Sequence, residues 1–324
     1  MTIANPIITV TRRLPDPVEA VLAERLGARL NASDRPLDRA ALVAAMRDSD
    51  ILLPTITDRI DADLIATGGR RVKLIANFGA GVDHIDLEAA AAAGIAVTNT
   101  PDALTDATAE LAVLLMLMAA RRAGEGEREL RAGGWTGWRP THLVGRGLTG
   151  RVLGLVGFGR IAQATAARAI GLGMTIRYFS RSPADPATAA ALGAERCESL
   201  HDLAAVSDVV SLHVPGGPAT RHMVDRAFLA AMQRDAILVN TARGPVVDEA
   251  ALVDALDSGR IGAAALDVYE REPAVHPGLI GHARTVLLPH LGSATIEART
   301  AMGLQAIANI DAFLRGAELP NRVA

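Results

Sequence analysis

Short runs of β-branched and aliphatic residues alternate with Ala/Leu-rich stretches of helical period from one end of the chain to the other. That is the pattern of parallel strands joined by helices, and it predicts an α/β protein. In the first hundred residues strands are expected over 7–10, 51–53, 74–77 and 95–98, with helices between them. A long helix is expected from 102 to about 131. Its middle (Leu111, Val113, Leu114, Leu115, Met116, Leu117, Met118) is apolar around most of its circumference, so it must be covered on more than one side, by an interdomain core or by a second subunit. The stretch 133–150, with both tryptophans, Trp135 and Trp138, has no periodicity and reads as a loop. A second α/β series then begins at Val152, with further strands near 175–179, 209–213, 237–240, 263–268 and 286–288, and the chain turns helical from Pro289 to Leu314.

Length and composition narrow this picture. At 324 residues the chain exceeds one comfortable core, which points to two domains. A net charge of -3 gives no electrostatic footprint for nucleic acid or an anionic membrane, so a small soluble ligand is the expected partner. Of the 33 basic residues only Lys73 is lysine, a bias that carries no functional conclusion. One cysteine, Cys197, can form neither an internal disulfide nor a Cys-rich metal site, and a reducing cytoplasm is the natural compartment. The first residues lack the pattern of a secretory signal. The longest apolar run, 111–120, is ten residues against the ~20 that span a bilayer. No HExxH pattern occurs, and no metal is expected.

Candidate chemistry starts at residues 151–171, where an apolar strand runs into Gly157, Phe158, Gly159, Arg160, Ile161 and Ala162 and a helix former follows. The first glycine permits a tight bend and the second lets the backbone approach a pyrophosphate at the helix start. Ala162 stands where a third glycine is usual, a position that governs helix-to-strand packing rather than ligand contact. At the end of the next strand an acidic residue would select NAD and an arginine NADP. Here the residues are Ser180, Arg181 and Ser182, the first 23 positions after Gly157. Arg181 can pair with a 2′-phosphate and the two serines can add hydroxyl donors, so NADPH is expected over NADH.

Three later segments put polar residues where an apolar strand stops, the side of an open α/β sheet that faces ligand. They carry Arg243, Glu272 and His290. Arg243 can hold a carboxylate and polarise the neighbouring carbonyl. His290, hydrogen-bonded to Glu272, can donate a proton to the carbonyl oxygen.

The stretches VGFGRIA, NTARGPVVDE, LDVYEREP and LPHLGSAT, in this order and spacing, resemble the D-isomer-specific 2-hydroxyacid dehydrogenases over nearly the whole chain. The resemblance implies that Arg243, Glu272 and His290 are the catalytic trio. It implies two Rossmann-like, parallel-sheet domains with a cleft between: a flavodoxin-like substrate domain of 1–101 with 291–324, and a dinucleotide-binding domain of 102–290. It implies a homodimer formed through the cofactor domain. Cofactor contacts are then expected at Thr108 beside the nicotinamide and at His213, Val214, Pro215 and Thr220 after a strand end. Others are expected at Thr241, Ala242, Asp267 and Gly292. The stretch FGAGVDHID resembles the loop whose amides around Ala80 and Gly81 bind the substrate carboxylate, and Gly-Ala-Gly exposes such donors; His84 is expected to brace it.

LTDATAELA and GGWTGWRP are similar to the glyoxylate and hydroxypyruvate reductases, in which the second tryptophan, here Trp138, reaches the neighbouring subunit's site. The expected activity is therefore reduction of a small 2-oxo acid. The alternatives are a dehydrogenase for a larger substrate, of D-lactate or phosphoglycerate type, and a nucleotide-sensing corepressor-like binding protein of the same fold. The remaining histidines, His142, His201, His222, His276 and His282, are expected to be solvated or structural.

Overall fold

The computed structural model describes residues 5–324. It divides into two compact units: one runs through Leu104 and resumes at Ser293, and the other is Thr105–Gly292. The boundaries expected at 101 and 291 thus move by a few residues, because the long helix begins only at Thr105 and the turn carrying His290 stays with the larger unit.

The smaller unit is built on four parallel strands in the order β1 (Ile8–Val10), β2 (Ile51–Leu53), β3 (Leu74–Ala76), β4 (Ala96–Thr98). Their side chains alternate between two buried faces, as strands covered on both sides must. Ile8, Val10, Ile51, Leu53 and Leu74 pack with Met302, Ala306 and Ile310 of the helix Ile296–Leu314, whereas Leu52, Ile75 and Val97 pack with Leu42, Met46 and Leu64. A parallel bridge from Thr9 to Arg29 extends the sheet beyond β1, which gives the flavodoxin-like order.

The larger unit holds seven parallel strands: β5 (Val152–Val156), β6 (Thr175–Phe179), β7 (Ala194–Arg196), β8 (Val209–Leu212), β9 (Ile237–Asn240), β10 (Ala263–Leu266) and β11 (Thr285–Leu287). Their order is β11-β10-β9-β8-β5-β6-β7, so the chain changes direction between β5 and β8, the crevice where open α/β sheets bind ligand. β7 was not expected: three residues, Ala-Glu-Arg, two of them exposed on the sheet edge, leave no hydrophobic period to detect.

The helix expected over 102–131 is two helices, Thr105–Ala120 and Ala123–Arg131. Between them Arg122 adopts a left-handed conformation, φ 54°, and pairs with Glu125. The break is fixed from a distance. Arg146 N–H donates to the Ala120 carbonyl (2.7 Å), and Gly145 lies so close that a Cβ there would stand 2.3 Å from the same oxygen. No helix among the described residues is long and apolar enough to cross a membrane.

Candidate active site

β5 ends in Gly157 at φ 87°, where a side chain would meet the His213 carbonyl oxygen at 2.6 Å. Left-handed backbone and lack of room together restrict the position to glycine. Gly159, the N-cap of the helix Arg160–Gly171, is the opposite case: a Cβ there would meet nothing within 4 Å. Open space in front of the free amides of a helix start is what a dinucleotide pyrophosphate requires, so the residues fit that group. The Phe158 ring is turned into the core and stacks on Tyr178 with centroids 4.1 Å apart, so its side chain is not available to a ligand. Ala162 is fully buried, as close helix-to-strand packing requires. Gln163, which sequence reasoning did not single out, ties the loop down by donating to the Phe158 carbonyl (2.9 Å).

At the end of β6 Arg181 and Ser182 are exposed. The Ser180 hydroxyl donates to the Ser182 carbonyl (2.6 Å), which holds the turn. A second guanidinium stands beside the turn: Arg196, on the unexpected β7, donates to the Ser180 carbonyl (2.9 Å). At the end of β8 burial pushes His213 down to about 4, which keeps it neutral near pH 7 and unsuited to donating a proton there. Val214 and Pro215 follow, and Thr220 closes this loop by donating to the Pro215 carbonyl (2.7 Å).

The three reactive candidates share the larger unit. His290 Nδ1 lies 2.8 Å from Glu272 Oε2, leaving Nε2 as the ring atom for a substrate. Glu272 Oε1 accepts from the Tyr269 amide (3.0 Å). Burial would raise the Glu272 carboxyl, but the hydrogen bond and charge of His290, the Tyr269 amide and the charge of Arg243 outweigh it and hold the carboxyl below its ordinary value. Arg243 is therefore near enough to act on the same carboxylate; its Nη1 donates to the Ala242 carbonyl (2.7 Å). Asn240 shapes this loop, accepting from the Ala242 amide (3.0 Å) and donating to the Arg243 carbonyl (3.0 Å). The neighbouring Thr241 hydroxyl is buried with no hydrogen-bond partner among the described residues, an acceptor or donor held ready for a ligand.

His290 itself sits at φ 56°, a conformation that costs a non-glycine residue roughly 1 kcal/mol or more and needs external restraint. Asp267 supplies it. Its backbone carbonyl accepts from the His290 amide (2.9 Å), and its carboxylate accepts from the amides of Leu291 (2.7 Å) and Gly292 (2.8 Å). Burial pushes the Asp267 carboxyl up, against the pull of these donors. Thr108 adds a bond to the Gly292 carbonyl (3.0 Å). The Tyr269 hydroxyl, raised by burial, donates to the Leu288 carbonyl (2.8 Å) and joins the same turn to the Glu272 segment.

In the smaller unit, the loop with Ala80 and Gly81 is fixed through its carbonyls. Buried Asn77 donates to those of Gly79 (3.0 Å) and Gly81 (2.9 Å), and Asn99 donates to that of Ala80 (2.8 Å). His84 Nε2 lies 3.0 Å from Asn77 Oδ1, so it braces the asparagine that braces the loop. Ile56 lies against the loop: a Cβ on Gly79 would meet its Cγ2 at 3.3 Å. Asn77, Asn99 and Ile56 carry no motif and were not legible in the sequence. Trp138 is 82% exposed.

Comparisons with known proteins identify the family. A family model described as the D-isomer specific 2-hydroxyacid dehydrogenase, NAD binding domain, matches residues 113–292. The chain is 42% identical over 323 residues to a glyoxylate reductase of Thermococcus litoralis, covering 98% of this chain and 97% of that one. It is 39% identical over 317 residues to a glycerate dehydrogenase of Hyphomicrobium methylovorum, covering 98% of each. An NADPH-dependent glyoxylate/hydroxypyruvate reductase from Sinorhizobium meliloti, solved with NADP and malonate, superposes with a TM-score of 0.88 at 35% identity, covering 99% of this chain and 97% of that one. With a likeness that runs through both sheets and the loops between their strands, this chain belongs to the D-isomer specific 2-hydroxyacid dehydrogenases, oxidoreductases that use a nicotinamide dinucleotide.

Proposed function

We propose that the enzyme reduces a small 2-oxo acid, glyoxylate or hydroxypyruvate, to the 2-hydroxy acid with NADPH, and that His290 donates the proton. The observation that carries this reading is the 2.8 Å pairing of His290 Nδ1 with Glu272. It fixes the ring and leaves Nε2 to face a substrate as the proton donor, whereas burial keeps His213 neutral near pH 7. A nicotinamide dinucleotide, held at Gly157, Gly159 and the start of the helix Arg160–Gly171, would supply the hydride. Arg243 is assigned to polarise the carbonyl and neutralise the substrate carboxylate, and the amides of Ala80 and Gly81 are assigned as carboxylate donors of the smaller unit. As the oxygen gains negative charge, the His290 proton moves to it.

Glu272 sets the pH range. Its carboxyl is held low, so the carboxylate that pairs with His290 is present throughout the neutral range and is lost only as pH falls through the depressed value. Glu272→Gln removes the charge that retains the imidazolium proton. The alkaline limb of the kcat/KM profile is expected to move towards acid. An unmoved limb would refute the pairing's role.

Selection of NADPH is assigned to Arg181, with Arg196 adding positive potential at the same turn. The similar Sinorhizobium enzyme is described as NADPH-dependent. Arg181→Ala is expected to raise the KM for NADPH by about 10- to 100-fold, the loss of one charge-assisted contact, with the KM for NADH little changed. An unchanged preference in the variant removes the assignment.

A homodimer is part of the proposal. The segment after Thr105 exposes Leu114, Leu130, Trp135, Trp138 and Val144 in one unit. Val144 also lines, with Met118, Arg146 and Asp235, a cavity of about 340 Å³ at the N-terminal ends of β9 and β10. Covering Leu114 or Val144 contributes about 1 kcal/mol each. Sedimentation equilibrium should return twice the chain mass; a monomer at micromolar concentration contradicts it.

A further inference from the structure

The turn that carries Glu272 carries a second glutamate two residues earlier, and that one also meets a histidine. His222 Nε2 lies 2.5 Å from Glu270 Oε1. The pair repeats the design of His290 and Glu272 in a further respect, since His222 also adopts a left-handed backbone, φ 50°. Glu270 is bound from elsewhere too. Its Oε2 accepts from the Glu249 amide (3.4 Å), and its own amide donates to Glu249 Oε1 (2.9 Å).

Three stretches of chain thereby close on one side chain. The His222 amide donates to the Pro245 carbonyl (2.8 Å), the Val224 amide to the Val246 carbonyl (3.0 Å) and the Asp248 amide to the Val224 carbonyl (3.0 Å), so the His222 segment lies along the loop that follows Arg243. That loop in turn is pressed onto the glutamate turn at Gly244, where a Cβ would fall 1.8 Å from the Tyr269 carbonyl. The loop begins with Arg243 and the turn ends with Glu272. The other charged groups facing the node are Arg221, 3.7 Å from Glu270 Oε1, the buried Glu249, and His276 beside Glu249.

We infer that His222, acting through Glu270, is a positioning residue that fixes Glu272 and Arg243 relative to each other. A partly exposed His–Glu pair adds little to stability, and a left-handed histidine detracts from it. What the pair secures is direction: with Glu270 held on one side of the turn, Glu272 is presented to His290 on the other. The inference rests on the reading of Glu272 and Arg243 as catalytic machinery.

Steady-state kinetics of the full-length enzyme with glyoxylate and NADPH across pH test it. His222→Ala is expected to lower kcat roughly tenfold, as small displacements of reacting groups do, with the KM for NADPH changed by less than about twofold. Its alkaline limb should move towards acid, in the same direction as in Glu272→Gln. In the Glu272→Gln background the second substitution should move it no further, since both act on one contact. His222→Gln, which retains an N–H donor, should recover most of the rate. Should His222→Ala fail to fold, Glu270→Gln carries the same readouts. A wild-type kcat and profile in His222→Ala, or a rate that falls only with the folded fraction while the profile stays, overturns the inference. Wild-type behaviour of Glu272→Gln overturns the dyad and the inference together.

Discussion

His290→Ala is expected to lower kcat for reduction of the 2-oxo acid by about 10³-fold, the middle of the range for a positioned general acid, while the dissociation constant for NADPH changes by less than about twofold. The asymmetry follows from where the ring is held. The dinucleotide fit rests on Gly157, Gly159 and the start of the helix Arg160–Gly171, none of which depends on the imidazole. The imidazole depends on Glu272 through Nδ1 and on Asp267 through the backbone, so its removal deletes the proton and little else. A variant that binds NADPH normally and still turns over at the wild-type rate would show that another group donates the proton. His213, neutral down to about 4, is poorly suited to replace it.

Gly244→Ala is expected to have the largest effect on stability. Its φ is not the difficulty; room is. The added methyl would lie 1.8 Å from the Tyr269 carbonyl carbon and oxygen and 2.5 Å from the Glu270 nitrogen, all backbone atoms that no rotamer change can move aside. Overpacking against rigid neighbours costs about 3 kcal/mol or more, which for a unit of this size lowers Tm by roughly 6–12 °C. Whatever folds should also have lost activity, because the methyl separates the Arg243 loop from the Glu272 turn. Thermal unfolding followed by circular dichroism, beside kcat/KM for the folded fraction, reads both. A variant with unchanged Tm would mean that the two segments do not pack as described.

The parallel sheets were legible because each central strand is buried on both faces and therefore reads as an uninterrupted apolar run. The edge strand β7 was not, since two of its three side chains face solvent. The break at Arg122 was hidden because nothing local requires it: the Ala120 carbonyl is capped by Arg146, 26 positions further along. At the site, Arg243, Glu272 and His290 stood out as polar residues where strands end. Asn77, Asn99 and Gln163 act on backbone carbonyls, a role any loop asparagine or glutamine could have, and their partners exist only in three dimensions. His222 was read as solvated or structural, and its glutamate lies 48 residues away.

The trio does not by itself separate an enzyme from a nucleotide sensor of this fold, which keeps the same residues; the likeness over nearly the whole chain to a glyoxylate reductase and a glycerate dehydrogenase does. The imidazole is also held by a restraint on its backbone. Asp267 gives both oxygens to that restraint although burial opposes its charge.

The most direct test is the initial rate of NADPH oxidation with glyoxylate and with hydroxypyruvate, alongside NADH and a bulky 2-oxo acid. Turnover of both small acids, faster with NADPH than with NADH, is the predicted result. Stoichiometric NADPH binding without turnover of any 2-oxo acid would contradict it.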